Sequence, residues 1–587
     1  MTHGPASVVA VTLVVGATLV AGSLGLRRAR TTSDFYVAAR SVSPRWNAAA
    51  IGGEYLSAAS YLGVAGLVLA YGFDMLWYPV CYTAGYLVLL ALVAAPLRRS
   101  GAYTLPDFAQ IRLGSPVVRR VASILVVLIG WLYLVPQLQG AALTLRTQTG
   151  APGWVGGLLV ALVVIAAVAV GGMRSITFAQ ALQFWLKFIA LLLPALVLVG
   201  VWQHRHDGVG AGLPSVRHTT TVDVGAAITV RVPREEVLDV RGSVDGRAAD
   251  GPVRLLRGEH RLGAHSRLTL RPGDAVPVRS GLPSQRSDSW LRPLGSGTAH
   301  PLYASLSLIL AICLGTMGLP HVLVRFYTNS DGRDARRTTL NVLVLLSAFY
   351  LVPTIFGALG RAYVPDLLVT GNTDATVLAL PERMLGGAPG VWLGALVTAG
   401  AFAAFLSTAS GLTVSVAGVL TQDVLRRRVA RPFGDGRARR IRTFRVAAVA
   451  AIAVPYLLSL PGGQVGLAAM VGLAFAVAAA TFCPLLVLGI WWTRLTVAGT
   501  VAGLVTGGVL ATAAVLVTVI GDPAGGWWAA LLAQPGAWAV PISFGVMIAV
   551  SLATRRGIPP DTARVMVRLH GPEFLADELR AADRSTG

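Results

Sequence analysis

The stretch that decides the fold is IGGEYLSAASYLG at residues 51–63, in which glycines and a carboxylate interrupt an apolar run. A second such stretch is LGTMGLPH at residues 314–321. Glycine and proline destabilise a helix by about 1 and 3 kcal/mol relative to alanine, so both stretches predict an interrupted helix. Interrupted helices at matching positions of two halves are typical of a transporter site near the bilayer midplane. Close helix packing through small residues is the alternative that either stretch alone leaves open.

The composition around these stretches is that of a membrane protein. Of the 587 residues, 54% are hydrophobic and 13% are charged, which is about half the charged fraction of an average soluble domain. Runs such as 384–422 and 446–493 contain no charged residue, and about 18 apolar residues are enough to cross the hydrocarbon core. These runs exclude a soluble enzyme or nucleic-acid-binding protein, despite a formal net charge of +22.

The charge-free runs predict thirteen membrane spans. They lie at about 6–26, 47–70, 75–97, 117–145, 151–172, 177–203, 301–325, 338–361, 387–423, 443–460, 464–492, 495–520 and 536–554. The interrupted stretches fall in the second and seventh spans, which predicts two repeats of five spans each. The predicted organisation is an N-terminal span with a cytoplasmic loop (1–46), a first repeat (47–203), an insertion (204–300), a second repeat (301–492), two further spans (493–554) and a tail (555–587).

The arginines predict the orientation of these spans. Basic runs such as Arg98–Arg99, Arg336–Arg337 and Arg426–Arg428 fall in alternate loops, whereas the short loops 71–74 and 461–463 contain no Lys or Arg. Because short cytoplasmic loops carry an excess of basic residues, the N-terminus is predicted outside and the C-terminus in the cytoplasm. The protein is therefore expected to be a multi-pass cell-membrane protein whose positive charge is largely a cytoplasmic fringe.

The insertion at 204–300 differs in composition from the rest of the chain. It contains fourteen arginines and two stretches in which apolar and polar residues alternate, at 221–224 and 228–232. This period of two, with turn signals at Asp245–Gly246 and Pro272–Gly273, predicts short strands joined by turns. We expect a small extracytoplasmic β-rich unit, and its role is left open.

The ninth span contains a pair of hydroxyls, Ser407 and Thr408, within AAFLSTASGL at 403–412. Adjacent helical residues point about 100° apart, so the two hydroxyls can embrace one ion, with the carbonyl of Ala404 one turn earlier on the same side. Hydrogen bonding of the hydroxyls to the preceding turn is the alternative. Glu54 is a further candidate, because a carboxylate is costly in hydrocarbon, unless it lies near the interface and meets water or arginine.

These residues resemble the sodium/solute symporter family, most closely its cation/acetate (monocarboxylate) branch. The matching stretches are GEYLSAASYLG (53–63), GTMGLPHVLVRFY (315–327), MVGLAFA (470–476) and the shorter TLPD (104–107) and GGM (171–173). The resemblance covers roughly 30–200 and 300–500. It implies an all-α polytopic membrane protein of about 13 helices with a 5+5 inverted-repeat (LeuT-like) core, to which the β-rich insertion is added.

The resemblance also implies an ion site and a transported solute. The sodium ligands would be the carbonyls of Gly53 and Leu56 facing Ala404, Ser407 and Thr408. Some acetate-permease relatives are apolar where this chain has Ser407 and Thr408, so sodium is favoured over protons as the coupling ion. The implied activity is import of a short monocarboxylate (acetate, propionate or pyruvate) by alternating access, with no cofactor and no enzymatic reaction.

The half-helix N-termini freed at the two breaks are partly positive and suit a carboxylate. The predicted substrate contacts are Ser60, Tyr61, Tyr133, Gln137, Gly315, Thr316 and Met317. Interhelical hydrogen bonding is the alternative for Tyr133 and Gln137. Glu54, His321 and Arg325 are predicted to act in gating or coupling, the last two in an inner-gate or structural role.

Several alternatives stay open at this point. The solute of a family member of this kind could instead be proline, a sugar or another organic acid. A transporter-like sensor would need an output domain after the last span, where 33 residues (555–587) follow. The expected partners are the lipid bilayer and a small carboxylate but no nucleic acid, while oligomeric state and stoichiometry are not indicated.

Overall fold

The computed structural model of the protein describes residues 4–26, 42–205, 212–283, 286–294, 300–425, 436–461, 465–521 and 526–571. The basic loop predicted after the first span and the run Arg426–Arg428 lie outside these residues, as does most of the predicted tail. The helices are α1 Gly4–Leu26, α2 Pro44–Tyr55, α3 Val64–Tyr71, α4 Trp77–Leu92, α5 Ala94–Arg99, α6 Leu105–Leu113, α7 Pro116–Thr149, α8 Gly153–Arg205, α9 Ser287–Trp290, α10 Pro301–Thr316, α11 Pro320–Phe326, α12 Gly332–Tyr363, α13 Leu367–Thr370, α14 Thr376–Leu385, α15 Gly387–Val419, α16 Gly436–Ser459, α17 Leu467–Trp491, α18 Val497–Ile520, α19 Trp527–Ala533, α20 Gly536–Ala553 and α21 Thr562–His570.

Every predicted span is helical in the structure. The number of spans differs, because some predicted spans are joined into one helical stretch and another is a shorter helix. Within the described ranges, eleven helical stretches are long and apolar enough to cross a membrane. One of them, Ala59–Leu92, joins parts of the second and third predicted spans, and the fifth predicted span corresponds to the shorter apolar helix Gly153–Ala169. The loop predicted at 173–176 is wrong, because the backbone there stays helical within α8.

Both predicted interruptions are confirmed. The helix α2 ends at Tyr55, and the chain resumes through a π-helical turn at Ala59–Gly63 that leads into α3. The helix α10 ends at Thr316, and α11 starts with Pro320, whose missing N–H costs nothing at a helix start. The residues between these helix pairs leave carbonyl and N–H groups without partners in their own helix. Those groups line the centre of the molecule.

Long helices surround the two broken pairs. The helix α15, which contains the predicted hydroxyl pair, packs against α8 and α2, and α17 packs against α10 and α7. Close approach requires small residues at the contacts: a Cβ on Gly53 would lie 2.1 Å from the carbonyl oxygen of Gln180, and one on Gly315 would lie 2.4 Å from that of Phe475. Gly53 and Gly315, in the last turns of α2 and α10, thus allow close helix packing beside the two breaks.

The predicted β-rich insertion is confirmed as a seven-stranded antiparallel sheet. Its strands are β1 Thr220–Val224, β2 Ile228–Val232, β3 Glu236–Val244, β4 Arg247–Leu255, β5 Gly258–Leu262, β6 Ser266–Leu270 and β7 Val278–Arg279. Their order is β1-β6-β3-β5-β2-β7, with β4 paired to β3. The predicted turn at Asp245–Gly246 joins β3 to β4, and both residues have positive φ, as a two-residue hairpin turn of type I′ requires.

The arginines of the sheet face acidic residues on neighbouring strands. The pairs Arg231–Glu259, Arg254–Glu235 and Arg267–Asp223 have N–O distances of 3.1, 2.5 and 2.7 Å. All are exposed, and exposed pairs contribute about 0–1 kcal/mol each. Their main consequence is a charged, water-facing surface on the sheet.

The other face of the sheet packs on the helical core. Leu69 and Leu368, at the ends of α3 and α13, belong to the same buried apolar cluster as the sheet residues Val230 and Leu268. Trp290, which follows the sheet in the chain, donates from Nε1 to the carbonyl of Val68 at 2.8 Å. The insertion therefore covers one end of the broken helix pair α2/α3.

Asp374 links two helices on the insertion side of the core. Its Oδ2 accepts a hydrogen bond of 2.8 Å from the N–H of Leu467 at the start of α17. Burial raises the pKa of this carboxyl from its ordinary value to about 6, and the bond from Leu467 opposes the rise.

We predict that replacing Asp374 with asparagine removes part of the pH dependence of stability. A carboxyl whose pKa is raised in the folded protein stabilises it below about pH 4 and loses that contribution as the pH rises to about 6. The melting temperature of Asp374→Asn relative to the parent should therefore be higher at about pH 7 than at about pH 4. Thermal unfolding in detergent checks this, and a difference that is constant with pH, or falls with it, contradicts the assignment.

Candidate functional site

The break between α2 and α3 is held open by a side chain from α7. The N–H of Ala58 donates to Oε1 of Gln137 at 2.8 Å, and Nε2 of Gln137 donates to the carbonyl of Tyr133 at 3.3 Å. Gln137 is fully buried. The sequence predicts Gln137 as a substrate contact, with interhelical hydrogen bonding as the alternative. In the structure, Gln137 accepts the hydrogen bond from Ala58 that this alternative describes.

The five predicted sodium ligands lie together where α15 meets the break. The hydroxyl oxygen of Ser407 lies 2.6 Å from the carbonyl oxygen of Gly53 and 3.0 Å from that of Ala404. Thr408 donates instead to the carbonyl of Glu54, at 2.6 Å. Since Ser407 and Thr408 reach adjacent carbonyls of α2, the hydroxyl pair joins the two helices rather than merely bonding back to its own.

The ammonium of Lys187 lies among these oxygens, which sequence reasoning missed. Its Nζ is 2.5 Å from the carbonyl oxygen of Gly53, 2.7 Å from that of Leu56 and 2.9 Å from Oγ of Ser407. Lys187 lies on α8, is fully buried and is the only lysine of the chain. A lysine in an apolar span is the sequence signal for such a site, because a buried cation needs a set of hydrogen-bond acceptors around it.

Glu54 and Arg325 form a buried ion pair on the side of the break away from the insertion. Their Oε2 and Nε are 2.7 Å apart, and the side chains are 2% and 1% exposed. Arg325 also donates to Thr177 at 2.5 Å and to Oε1 of Gln180, while Nε2 of Gln180 donates to the carbonyl of Ser407 at 2.8 Å. The pair and its hydrogen bonds thus link α2, α8, α11 and α15.

Aromatic side chains enclose the centre of the molecule between the two breaks. The ring of Tyr55 stacks edge-on against Tyr86, with centroids 4.9 Å apart, and Tyr82 lies against Tyr350 at 5.5 Å and Phe475 at 5.3 Å. Among the described residues, the buried hydroxyls of Tyr82 and Tyr86 have no hydrogen-bond partner. A buried polar group without a partner costs free energy, so these hydroxyls are candidates for contact with a transported solute.

The predicted substrate residues divide between this cluster and other positions. Thr316 lies 3.1 Å from the hydroxyl of Tyr55, and Ser60 lies 2.8 Å from that of Tyr350. Tyr133 packs against the ring of His321 at 5.1 Å. By contrast, Tyr61 donates to the carbonyl of Val397 on α15 at 3.1 Å. Gly315 and Met317 are buried in the second break, Gly315 against Phe475.

His321 and Arg325, which were predicted together as an inner gate, lie one turn apart on α11. Arg325 pairs with Glu54, whereas His321 lies one turn closer to the break and beside Tyr133. Both ring nitrogens of His321 are buried and have no hydrogen-bond partner in the described ranges. The ring of His321 borders the aromatic cluster, and an inner-gate role for His321 and Arg325 stays a prediction.

The fold and site can be compared with those of known proteins. A family model described as "Sodium:solute symporter family" matches residues 35–217 and 263–507 of this chain. The chain is 29% identical to an uncharacterized symporter, YwcA, of Bacillus subtilis over 96% of this chain and 98% of that one. It is 29% identical to a monocarboxylic acid transporter of Corynebacterium glutamicum over 92% of this chain and 89% of that one.

Solved structures share the fold at low identity. A Na⁺-coupled sialic acid symporter in a substrate-bound, outward-open state aligns with a TM-score of 0.61 and 14% identity, over 93% of this chain and 98% of that chain. A nucleobase–cation symport-1 family transporter, Mhp1, in a closed conformation with bromovinylhydantoin bound, aligns with a TM-score of 0.50 and 11% identity, over 92% and 99%. At such identities the likeness concerns the LeuT-like, inverted-repeat fold alone.

Proposed function

The chain belongs to the sodium:solute symporter family, and we propose that it imports a short-chain monocarboxylate such as acetate, propionate or pyruvate by alternating access around the two broken helices. The observation that carries this proposal is that Tyr82 and Tyr86, in an aromatic enclosure beside the breaks, have buried hydroxyls without a hydrogen-bond partner among the described residues. Hydroxyl donors suit a carboxylate, and the aromatic walls suit a small apolar remainder. The similarity to a monocarboxylic acid transporter adds support.

The coupling ion of the proposed symport is a cation, with sodium favoured by family membership and a proton as the alternative. The oxygens of Gly53, Leu56 and Ser407, which the family resemblance assigns to sodium, surround the ammonium of Lys187, so sodium is favoured here by family membership and not by this site. Oxygen ligands from a broken helix and a facing helix are the usual coordination for a coupling ion in transporters of this fold.

Another solute of the same family is the principal alternative. The sialic acid symporter of the same fold transports a much larger molecule, and proline or a sugar would need polar contacts for amine or hydroxyl groups. The central cluster offers mostly aromatic and hydroxyl groups, and the neighbouring carboxylate of Glu54 is paired with Arg325, so it does not offer a contact for an amine. This composition favours a small solute with a single carboxylate.

Uptake measurements with a competitor panel test the proposal. The purified protein in proteoliposomes should accumulate labelled acetate when an inward sodium or proton gradient is imposed, and protein-free liposomes provide the background. Propionate and pyruvate should compete, whereas proline, glucose and sialic acid should not. Uptake equal to that of protein-free liposomes under both gradients, or competition by proline or glucose, overturns the proposal.

We predict that the double variant Tyr82→Phe, Tyr86→Phe transports poorly but unfolds at an unchanged or higher temperature. The two hydroxyls have no partner in the described structure, so their removal leaves folding intact while a solute loses two donors, at about 1 kcal/mol each. The KM for the carboxylate should rise by about tenfold or more. The matched control is Tyr55→Phe, which loses a bond of 3.1 Å to the carbonyl of Tyr82 and should lower the unfolding temperature. A KM unchanged in the double variant contradicts the assignment.

A further inference from the structure

The ammonium of Lys187 is coordinated as a bound cation would be. Its three protons face three acceptors, the carbonyls of Gly53 and Leu56 and the hydroxyl of Ser407, at 2.5, 2.7 and 2.9 Å. Those acceptors are three of the five groups that the family resemblance assigns to sodium. The side chain is fully buried, so no water replaces these contacts.

The remaining two groups of that set are directed elsewhere. Thr408 donates to the carbonyl of Glu54 at 2.6 Å, and the carbonyl of Ala404 lies 3.0 Å from the Ser407 hydroxyl. Sodium requires the same carbonyl lone pairs that the ammonium uses. With Lys187 in place, the residues present do not fit the ion.

The charge around the site also opposes a second cation. The only acidic side chain that contacts this region in the described structure is Glu54, which is paired with Arg325 at 2.7 Å. Lys187 and Arg325 already place two positive charges beside this one carboxylate. A sodium ion at the shared oxygens would lie about 3 Å from the ammonium, where like charges repel strongly in a buried site.

We propose that the ammonium of Lys187 and a sodium ion exclude each other at this site, so that the lysine acts as a tethered cation in sodium's place. The lysine belongs to the last span of the first repeat, and its acceptors belong to the break and to α15 of the second repeat. One positive charge therefore holds these three elements together without a sodium ion. The mutual exclusion of Lys187 and sodium is a statement about ion binding and does not depend on the proposed function. Only its consequence for transport rests on that function.

Sodium binding in the absence of any solute tests this inference. The purified protein is titrated with sodium chloride against choline chloride at equal ionic strength, while thermal unfolding and binding of radiolabelled sodium are followed. The variant Lys187→Ala opens the site, and its apparent sodium affinity should exceed that of the parent by about tenfold or more. The double variant Lys187→Ala, Ser407→Ala should lose this gain, which would locate the bound ion.

The matched control is Gln183→Ala, one turn earlier on the same helix. Gln183 donates to the hydroxyl of Thr18 on α1 at 2.9 Å, away from the oxygens around Lys187. The sodium affinity of Gln183→Ala should therefore equal that of the parent. Equal or weaker sodium binding in Lys187→Ala overturns the inference. If Lys187→Ala fails to fold, the thermal unfolding of the parent protein is the deciding measurement. Weak or no stabilisation of the parent by sodium relative to choline supports the inference, and strong saturable stabilisation overturns it. Failure of carboxylate uptake would leave these outcomes unaffected.

Discussion

Replacing Arg325 with methionine is expected to lower the free energy of unfolding by about 3–5 kcal/mol, because it leaves a buried carboxylate without its cation. Glu54 is 2% exposed, and its Oε2 lies 2.7 Å from Nε of Arg325. The same change removes the bonds from Arg325 to Thr177 and Gln180. Carboxylate uptake should fall to background, since four helices lose their common contact. Unfolding in detergent and uptake in proteoliposomes measure the two effects.

The double variant Glu54→Gln, Arg325→Met provides the control for this prediction. It removes both charges together, and removing a buried pair as a unit costs far less than removing one partner. Most of the lost stability should therefore return. A double variant no more stable than Arg325→Met would show that the pair is not the source of the loss.

The second large effect is expected from Gly53→Ala. A Cβ at this position would lie 2.1 Å from the carbonyl oxygen of Gln180, a backbone atom of α8 that cannot move without the helix. Overpacking of this kind costs about 1–3 kcal/mol and sometimes more. Displacement of α8 also withdraws Lys187 from the carbonyl of Gly53, so we expect loss of uptake together with a lower unfolding temperature.

Gly200→Ala, on α8, is the matched control. Nothing lies within 4 Å of a Cβ added there, and alanine is favoured over glycine in a helix by about 1 kcal/mol. This variant should transport normally and unfold at an unchanged or slightly higher temperature. Normal uptake by Gly53→Ala would show that α2 and α8 tolerate separation, contrary to the close packing described above.

Features carried by local chemistry could be predicted from the sequence. Glycine and proline at 52–53, 315, 318 and 320 destabilise a helix locally, and each break lies within one turn of them, so both breaks could be predicted. The period of two at 221–224 and the dipeptide Asp245–Gly246 likewise indicate a strand and a hairpin turn without help from distant residues. In each case the signal lies within a few residues of the structure that it produces.

Features that depend on contacts between distant spans could not be predicted in the same way. Lys187 contacts Gly53 and Ser407, which are 134 and 220 residues away in the sequence. A single lysine in an apolar run does not indicate which distant residues will accept its hydrogen bonds. Tyr82 and Tyr86 look like ordinary aromatic residues of a span, and only the arrangement of α4, α12 and α17 brings them to the break. The pairing of Glu54 with Arg325 is likewise set by how α2 and α11 pack.

Solute counterflow is the most direct measurement of the central claim, that this transporter carries short monocarboxylates. Labelled pyruvate is offered to proteoliposomes preloaded with an unlabelled solute and held without ion gradients, which makes the result independent of the coupling ion. Pyruvate is the better label, because protonated acetate crosses lipid unaided. We predict transient accumulation of label in vesicles loaded with acetate, propionate or pyruvate, and none in vesicles loaded with proline or glucose. Accumulation with proline or glucose, or its absence with all three carboxylates, would contradict the account.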